Sequence, residues 1–404
     1  MAKNVLYISY DGLCDPLGQS QILPYLIGLS EKGHKISIIS YEKPSKYKIN
    51  KTYIQQVVSE NNITWYPHRY TRFPPIISTI FNVYFLLEKI KQLFKYQHFD
   101  IVHCRSYIAA FGGELAQKNY NAKFIFDMRG FWADERIEGG LWNIRNFVFK
   151  SIYTFFKHKE LQWLSKADIV VTLTHSAKKY LVEKQLVNEK KTFVIPCMVD
   201  TQLFNYQKVN LDSIVLIKKT LNIDKDAYVL GYVGSVSTWY LLDEMIDFYK
   251  IVLSKIPNAF FLLVSTENEF IEHKMKIHSI DSQHFRCIGA SRNQVPGLIS
   301  LFDLGICLIK NSFSKIASSP VKLGEMMAMG IPVVCNANIG DINMISEKYN
   351  SVYTLQSLDN ESYEKAINLV LRNSIQKHDI INSAIEFFSL QNGIEVYQNI
   401  YENG

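Results

Sequence analysis

Short apolar runs alternate with amphipathic stretches along almost all of the 404 residues, and the alternation starts afresh near the middle of the chain. Residues 5–9 read as a buried strand. A loop over 11–20, a helix over 21–32 closed by Gly33-His34, and a strand over 35–40 follow. Strand, loop, helix and strand at this spacing make a βαβ unit, which implies a parallel sheet because a crossover helix returns the chain to run in the same direction. The pattern recurs as strand 100–103, helix 108–118 and strand 123–127, then strand 168–173 and helix 176–183, with residues 193–196 closing the first half. A second series opens at 228–233 and runs through helix 241–255, strand 259–264, strand 304–309, helix 320–329 and strand 332–335. The polar segment 201–225 lacks a strong strand and is placed as the hinge. The expected fold is α/β, with two Rossmann-like doubly wound parallel-sheet domains, 1–200 and 201–384, facing across a crevice where ligands bind. A terminal helix over about 385–404 is assigned to pack back on the first domain.

Composition excludes several classes. The start of the chain runs directly into a strand and has no long apolar signal region. No stretch reaches the roughly 18 uninterrupted apolar residues of a spanning helix. The nearest, 73–94, is broken by Pro74, Pro75, Asn82, Glu88, Lys89 and Lys91. Six scattered cysteines without a CxxC pair suit reduced thiols in cytosol rather than a disulfide framework or zinc site. His273 and His278 have the wrong spacing for HExxH, and no metal is expected. Residues 1–200 carry 27 Lys and Arg against 17 Asp and Glu, while the remainder is net acidic. A basic first half implies an anionic partner (a membrane surface, nucleic acid or phosphorylated substrate) or else an ordinary solvated face.

The strongest local signal is Ser318-Ser319-Pro320-Val321-Lys322-Leu323-Gly324-Glu325. Ser318 and Ser319 suit an N-cap and Pro320 the first helical position, just downstream of a strand. Free amides at that helix start, two hydroxyls and Lys322 suit a diphosphate, with Lys310 and Lys315 adding charge. Glu325, further into the helix, suits a pair of sugar or ribose hydroxyls. The bland reading is a capped helix whose Lys322 and Glu325 form an exposed i,i+3 pair.

Other loops follow strand ends. The first contains Gly18-Gln19-Ser20 but neither GxGxxG nor a P-loop; it presents amides to a ligand or simply caps a helix. His103-Cys104-Arg105 ends another strand. Asp127-Met128-Arg129-Gly130-Phe131-Trp132-Ala133-Asp134-Glu135-Arg136 places a costly set of charges beside a sheet, so they pair with one another or bind something. Asp224-Lys225-Asp226 matches a metal-binding DxD motif of a different fold, which the βαβ repetition contradicts. In 73–95 and 143–159 aromatics alternate with bases; most of the aromatics are expected in the core and the bases on an anionic surface.

Together these residues resemble the GT-B glycosyltransferases of family 4, the retaining group that builds bacterial surface polysaccharides. The resemblance covers nearly the whole chain. Val194 to Phe204 is similar to the family's interdomain VIPNGVD…F, with Cys197 and Met198 for Asn and Gly. Tyr232-Val233-Gly234-Ser235 looks like its YVGR strand end, and KLGEMMAMGIPVV, from Lys322, like its donor-site EAMACGTPVV. The resemblance implies a nucleotide-diphospho-sugar donor in the C-terminal domain and a glycan or polyprenyl-diphosphate-linked acceptor in the N-terminal domain. It implies retention of configuration, and neither a metal, a further cofactor nor nucleic acid. The protein would be cytoplasmic, peripheral at the inner membrane face.

Glu325 matches the second glutamate of the family's E-x7-E motif, while the first falls on Ala317. Ser235 replaces the Arg after VG, the Lys that follows it is also absent, and Arg129 stands where many members have a His near the sugar. The residues assigned are Arg129, Asp127 and Glu325 for catalysis. Gly18, Gln19, Gly234, Ser235, Lys310, Lys315, Ser318, Ser319, Lys322 and Glu325 are assigned to the donor, and His103, Arg105, Asp134 and Glu135 to the acceptor. A nucleotide-sugar 2-epimerase of the same fold and a non-catalytic partner protein stand as alternatives.

Overall fold

The computed structural model describes residues 2–373 and 375–404 and divides the chain into two compact units, one running to Cys197 and including Leu390–Gly404, the other Met198–Ser389. The first holds a seven-stranded parallel sheet of β1 (Asn4–Ser9), β2 (Lys35–Glu42), β3 (Thr64–Arg69), β4 (Ile101–Arg105), β5 (Lys123–Asp127), β6 (Ile169–Thr172) and β7 (Thr192–Val194). Its order is β3-β2-β1-β4-β5-β6-β7. The second holds β8 (Tyr228–Val233), β9 (Ala259–Val264), β10 (Phe285–Ile288), β11 (Leu304–Cys307), β12 (Val333–Asn336) and β13 (Val352–Leu355), in the order β10-β9-β8-β11-β12-β13. Both are doubly wound sheets, and in each the strand order reverses beside the first strand of the unit.

The inner strands are buried on both faces, which is why they read as continuous apolar runs. The sequence pattern passed over β3, β10 and β13. These are edge strands, where one side of the ladder is unpaired and polar residues are tolerated, including Pro67 within β3.

The helix Leu390–Asn403 belongs to the first unit and packs on helix Leu23–Glu31. A Cβ at Gly28 would lie 2.3 Å from Ile394 Cδ1, so glycine sets how closely these helices approach. Tyr397 and Tyr401 are buried in that contact.

The helix Ile77–Tyr96 departs from expectation. Ser78, Asn82, Leu86, Ile90 and Leu93 face inward, while Ile77, Ile80, Phe81, Tyr84 and Phe85 lie outward, with Ile80 63% and Phe81 56% exposed. Phe73, Phe147 and Phe155 are exposed as well. Most of these aromatics are therefore not core. At 3.6 residues per turn one helix carries two apolar stripes, and only one of them meets the sheet.

Candidate functional site

β8 and β11 are neighbours at the switch point of the second sheet. After β8 comes Gly234 at φ +112°, and a Cβ there would lie 2.9 Å from Lys322 Nζ, so both backbone and space call for glycine. Lys322 stands in the first turn of helix Val321–Ala328. Its ammonium donates to the Tyr232 hydroxyl at 2.6 Å and lies 3.3 Å from the Tyr240 ring centroid. The Tyr232 hydroxyl donates onward to the Ser235 carbonyl. Lys322 is 8% exposed and makes no ion pair with a carboxylate among the described residues. Burial, partly offset by the Cys307 thiol, Glu325 and Glu267, brings its pKa down from 10.5 to about 8.

Glu325 is equally buried and takes the Arg292 guanidinium at 3.3 Å. Burial raises its pKa against the pull of Arg292 and Lys322. The exposed Lys322–Glu325 pair is not formed; each side chain has a different partner.

Ser318 and Ser319 do not cap the helix. Ser318 ends the 3₁₀ turn Phe313–Ala317, and Pro320 takes the N-cap position without a side-chain cap bond. The residue before proline, Ser319, is disfavoured in a helix, and Pro320 is itself extended at ψ 111°, so the helix starts only at Val321.

Lys310 and Lys315 differ. Lys310 is exposed and its N–H donates to the Trp239 carbonyl at 2.8 Å, whereas Lys315 is buried with its ammonium 3.6 Å from a Trp239 ring centroid. Ser235 is exposed, and its hydroxyl bonds Glu267 at 3.1 Å, while the Val236 N–H donates to the same carboxylate at 2.6 Å. Burial opposes ionisation of Glu267, but these bonds and those from Ser237 hold its pKa below the usual range. Glu267 had no signal in the sequence, since it lies in a polar loop after β9. Thr238, in the adjoining turn, has φ +62°, a left-handed conformation costly for a β-branched residue and concentrated at ligand sites.

In the first unit, Arg105 and Asp127 end β4 and β5 in adjacent register. Asp127 is fully buried. Around it stand Arg129 at 3.8 Å, Arg105 at 4.0 Å, His103 at 3.7 Å and the Tyr397 hydroxyl at 3.1 Å. Burial opposes its charge, but Arg129, His103 and Arg105 hold its pKa below the carboxylate range. Asp127 in turn overcomes burial to raise the pKa of Arg129, whose guanidinium also donates to Cys197 Sγ at 3.3 Å. Ser106 at φ +70° and Arg129 at φ +57° put left-handed backbone just after both strands.

His103 is completely buried, bonded to the Tyr401 hydroxyl at 2.7 Å, and burial lowers its pKa. It lies in the core, beside Asp127. Asp134 turns to Lys157 at 2.8 Å and the Tyr153 hydroxyl at 2.9 Å, and Arg136 lies over the Trp132 ring. Of the ion-pair network expected in this loop, the structure forms the Arg129–Asp127 pair. Glu135 is half-buried in the first turn of helix Trp132–Glu138.

Gly18 and Gln19 are not in a loop, because Pro16–Gln21 is helical. The Gln19 N–H goes to the Asp15 carbonyl, and a Cβ on Gly18 would lie 2.0 Å from the Gly12 carbonyl oxygen. Gly18 thus serves backbone packing. The Leu13 and Cys14 amides are taken by the buried Glu42 carboxylate at 2.8 and 3.0 Å.

Two family models match the sequence, Glycosyltransferase Family 4 over residues 25–203 and Glycosyl transferases group 1 over residues 214–387. No curated protein sequence matches. Among solved structures, a glycosyltransferase from Rickettsia africae is similar at TM-score 0.69 and 17% identity, over 100% of each chain. Anabaena HepE in complex with UDP-glucose is similar at TM-score 0.67 and 14% identity, over 98% of this chain and 99% of that one. WaaG, a glycosyltransferase involved in lipopolysaccharide biosynthesis, gives 0.68 and 14%, over 99% and 100%. At these identities the structural likeness is one of fold, and the fold is GT-B. The two family models account for most of each unit, and the chain is a glycosyltransferase of GT-B fold built from a Glycosyltransferase Family 4 domain and a Glycosyl transferases group 1 domain.

Proposed function

We propose that this enzyme transfers a sugar from a nucleotide-diphospho-sugar to a hydroxyl of a glycan or polyprenyl-diphosphate-linked acceptor, with retention of configuration, in surface polysaccharide assembly. The observation that carries the reading is Lys322, a buried ammonium without a carboxylate partner among the described residues, at a helix start beside the glycine turn after β8. Charge develops on the diphosphate as it leaves, and a preorganised cation in a water-poor site stabilises it without reorganisation. Glu325, steadied by Arg292, suits the ribose hydroxyls. The UDP-glucose complex of HepE and the lipopolysaccharide role of WaaG lend support.

In the first unit Arg105 and Arg129, organised by Asp127, form a cationic wall suited to the sugar and to an anionic acceptor. The outward face of helix Ile77–Tyr96 adjoins a recess of about 420 Å³ lined by Phe73, Ile77, Phe81, Phe85 and Arg69 among others. Among the described residues no helix is long and apolar enough to cross a membrane. An apolar face flanked by Arg69 and Arg72 favours peripheral contact with an anionic inner-membrane surface and a lipid-linked acceptor. The reaction proceeds without a metal in this reading, the donor phosphate itself accepting the acceptor's proton.

The test is a thermal-shift screen of nucleotide-sugars, followed by transfer to lipid-linked acceptor and assignment of the anomer by NMR. Epimer formation from a UDP-sugar without acceptor would instead establish the 2-epimerase reading.

A further inference from the structure

Three lysines, 310, 315 and 322, lie near the carboxyl-end turns of β8 and β11, and they are held in different ways. Lys310 is exposed, so water screens its charge. Lys315 rests its ammonium on the Trp239 indole. Lys322 sits where free helical N–H groups and the helix dipole add positive potential, against a residue that has no side chain, Gly234. Its ammonium meets one hydroxyl, that of Tyr232, and two aromatic rings, Tyr240 at 3.3 Å and Tyr232 at 4.3 Å from the centroids. Neutral partners fix the direction of the ammonium without cancelling its charge. The two nearby carboxylates are spent elsewhere, Glu325 on Arg292 and Glu267 on the Val236 N–H and the Ser235 hydroxyl.

We propose that Lys322 is the cation that takes the donor's diphosphate, that Tyr232 and Tyr240 are the positioning residues that aim it past Gly234, and that binding a nucleoside diphosphate at alkaline pH takes up a proton. This rests on the reading of the second unit as the donor-binding one.

The cause is the missing counter-ion. A buried ammonium that has lost its water and gained no anion gives up its proton more readily, here near pH 8. The groups facing it are Tyr232 on β8, Tyr240 ahead of helix Leu242–Lys255, Cys307 on β11, Glu325 on its own helix and Glu267 after β9. A bound diphosphate supplies the anion and returns the pKa toward 10.5. Above pH 8 the free site is largely neutral and the bound site charged, so linkage requires proton uptake on binding. A nucleoside diphosphate's own last phosphate proton, with a pKa of about 6, is already gone at that pH.

The experiment is calorimetric titration of the full chain with UDP, ADP, GDP and dTDP, from pH 7 to 9.5, in buffers of differing ionisation enthalpy. The wild type is expected to lose affinity above pH 8 and to take up as much as about one proton per site at pH 9. Lys322→Met, checked for a native melting transition, is expected to bind about 10- to 100-fold more weakly at pH 7 and to take up none. Tyr232→Phe is expected to move the midpoint of the pH profile downward, and Cys307→Ser to keep the uptake. Wild-type binding without uptake, undiminished binding by Lys322→Met, or loss of uptake in Cys307→Ser would overturn the assignment while leaving the donor reading intact. Failure of the wild type to bind any of these diphosphates would overturn the donor reading itself, and this assignment with it.

Discussion

The Tyr397 hydroxyl donates to Asp127 Oδ2 at 3.1 Å, joining the last helix of the chain to the end of β5 across 270 residues of sequence. The bond holds one oxygen of the carboxylate that also faces Arg105 and Arg129. Tyr397→Phe keeps the ring and removes only this donor to a charged, buried acceptor. The expected loss is about 1.5–3 kcal/mol, read as a lower urea midpoint at unchanged m-value. An unaltered midpoint would show the bond to be dispensable.

Lys322→Met should make the protein more stable while impairing donor binding. The folded pKa of about 8 lies below the ordinary 10.5, so the unfolded chain holds this proton more tightly. The lysine therefore weakens the fold at neutral pH, and wild-type stability recovers as pH climbs from about 8 to 10.5. At pH 7 the substitution is expected to gain about 2–3 kcal/mol, the gain vanishing above that window. Chemical denaturation at pH 7 and pH 10.5 checks both points.

His103 sets a dependence of the same sign in a lower pH window. Burial depresses its pKa, so the neutral ring contributes stability that is complete above about pH 6.5 and is lost as pH falls through the folded value. His103→Gln, which retains a hydrogen-bonding side chain beside Tyr401, should flatten the decline in urea midpoint between pH 7 and 5. A decline of equal slope in the variant would assign it to other groups.

Phe81 and Phe85 are more than half exposed, so changing both to Ser should alter stability by no more than about 0.5 kcal/mol per site. If this face meets the membrane, co-sedimentation with anionic vesicles should drop sharply while binding of UDP to the soluble protein stays as it was. Equal co-sedimentation by the variant would place the lipid contact elsewhere.

Gly18→Ala forces a methyl group against backbone that cannot move aside, 2.0 Å from the Gly12 carbonyl oxygen. A loss of about 1–3 kcal/mol is expected, measured by thermal or urea unfolding.

Much of the fold was legible in the chain. Buried parallel strands must be apolar on both faces, so β1, β2, β5, β8, β9 and β12 stand out as runs, and the helices between them follow from spacing. The edge strands β3, β10 and β13 were not legible, because half their surroundings are solvent or loop. Around residue 320 the sequence singled out Lys322 for a diphosphate and Glu325 for hydroxyls behind serine caps, with an exposed pair as the bland alternative; it did not show that both are buried and have separate partners.

What the sequence determined by itself is periodicity, which depends only on neighbours along the chain: two doubly wound units and a helix beginning near residue 320. What only the tertiary structure decided is which charges share a space. Arg292 comes to Glu325 from 33 residues away, Tyr232 to Lys322 from 90, and Tyr397 to Asp127 from 270. Whether a lysine is a solvated cation or a buried one poised near pH 8 depends on such partners, because desolvation and Coulomb energy are set by distance in space and not by position in sequence.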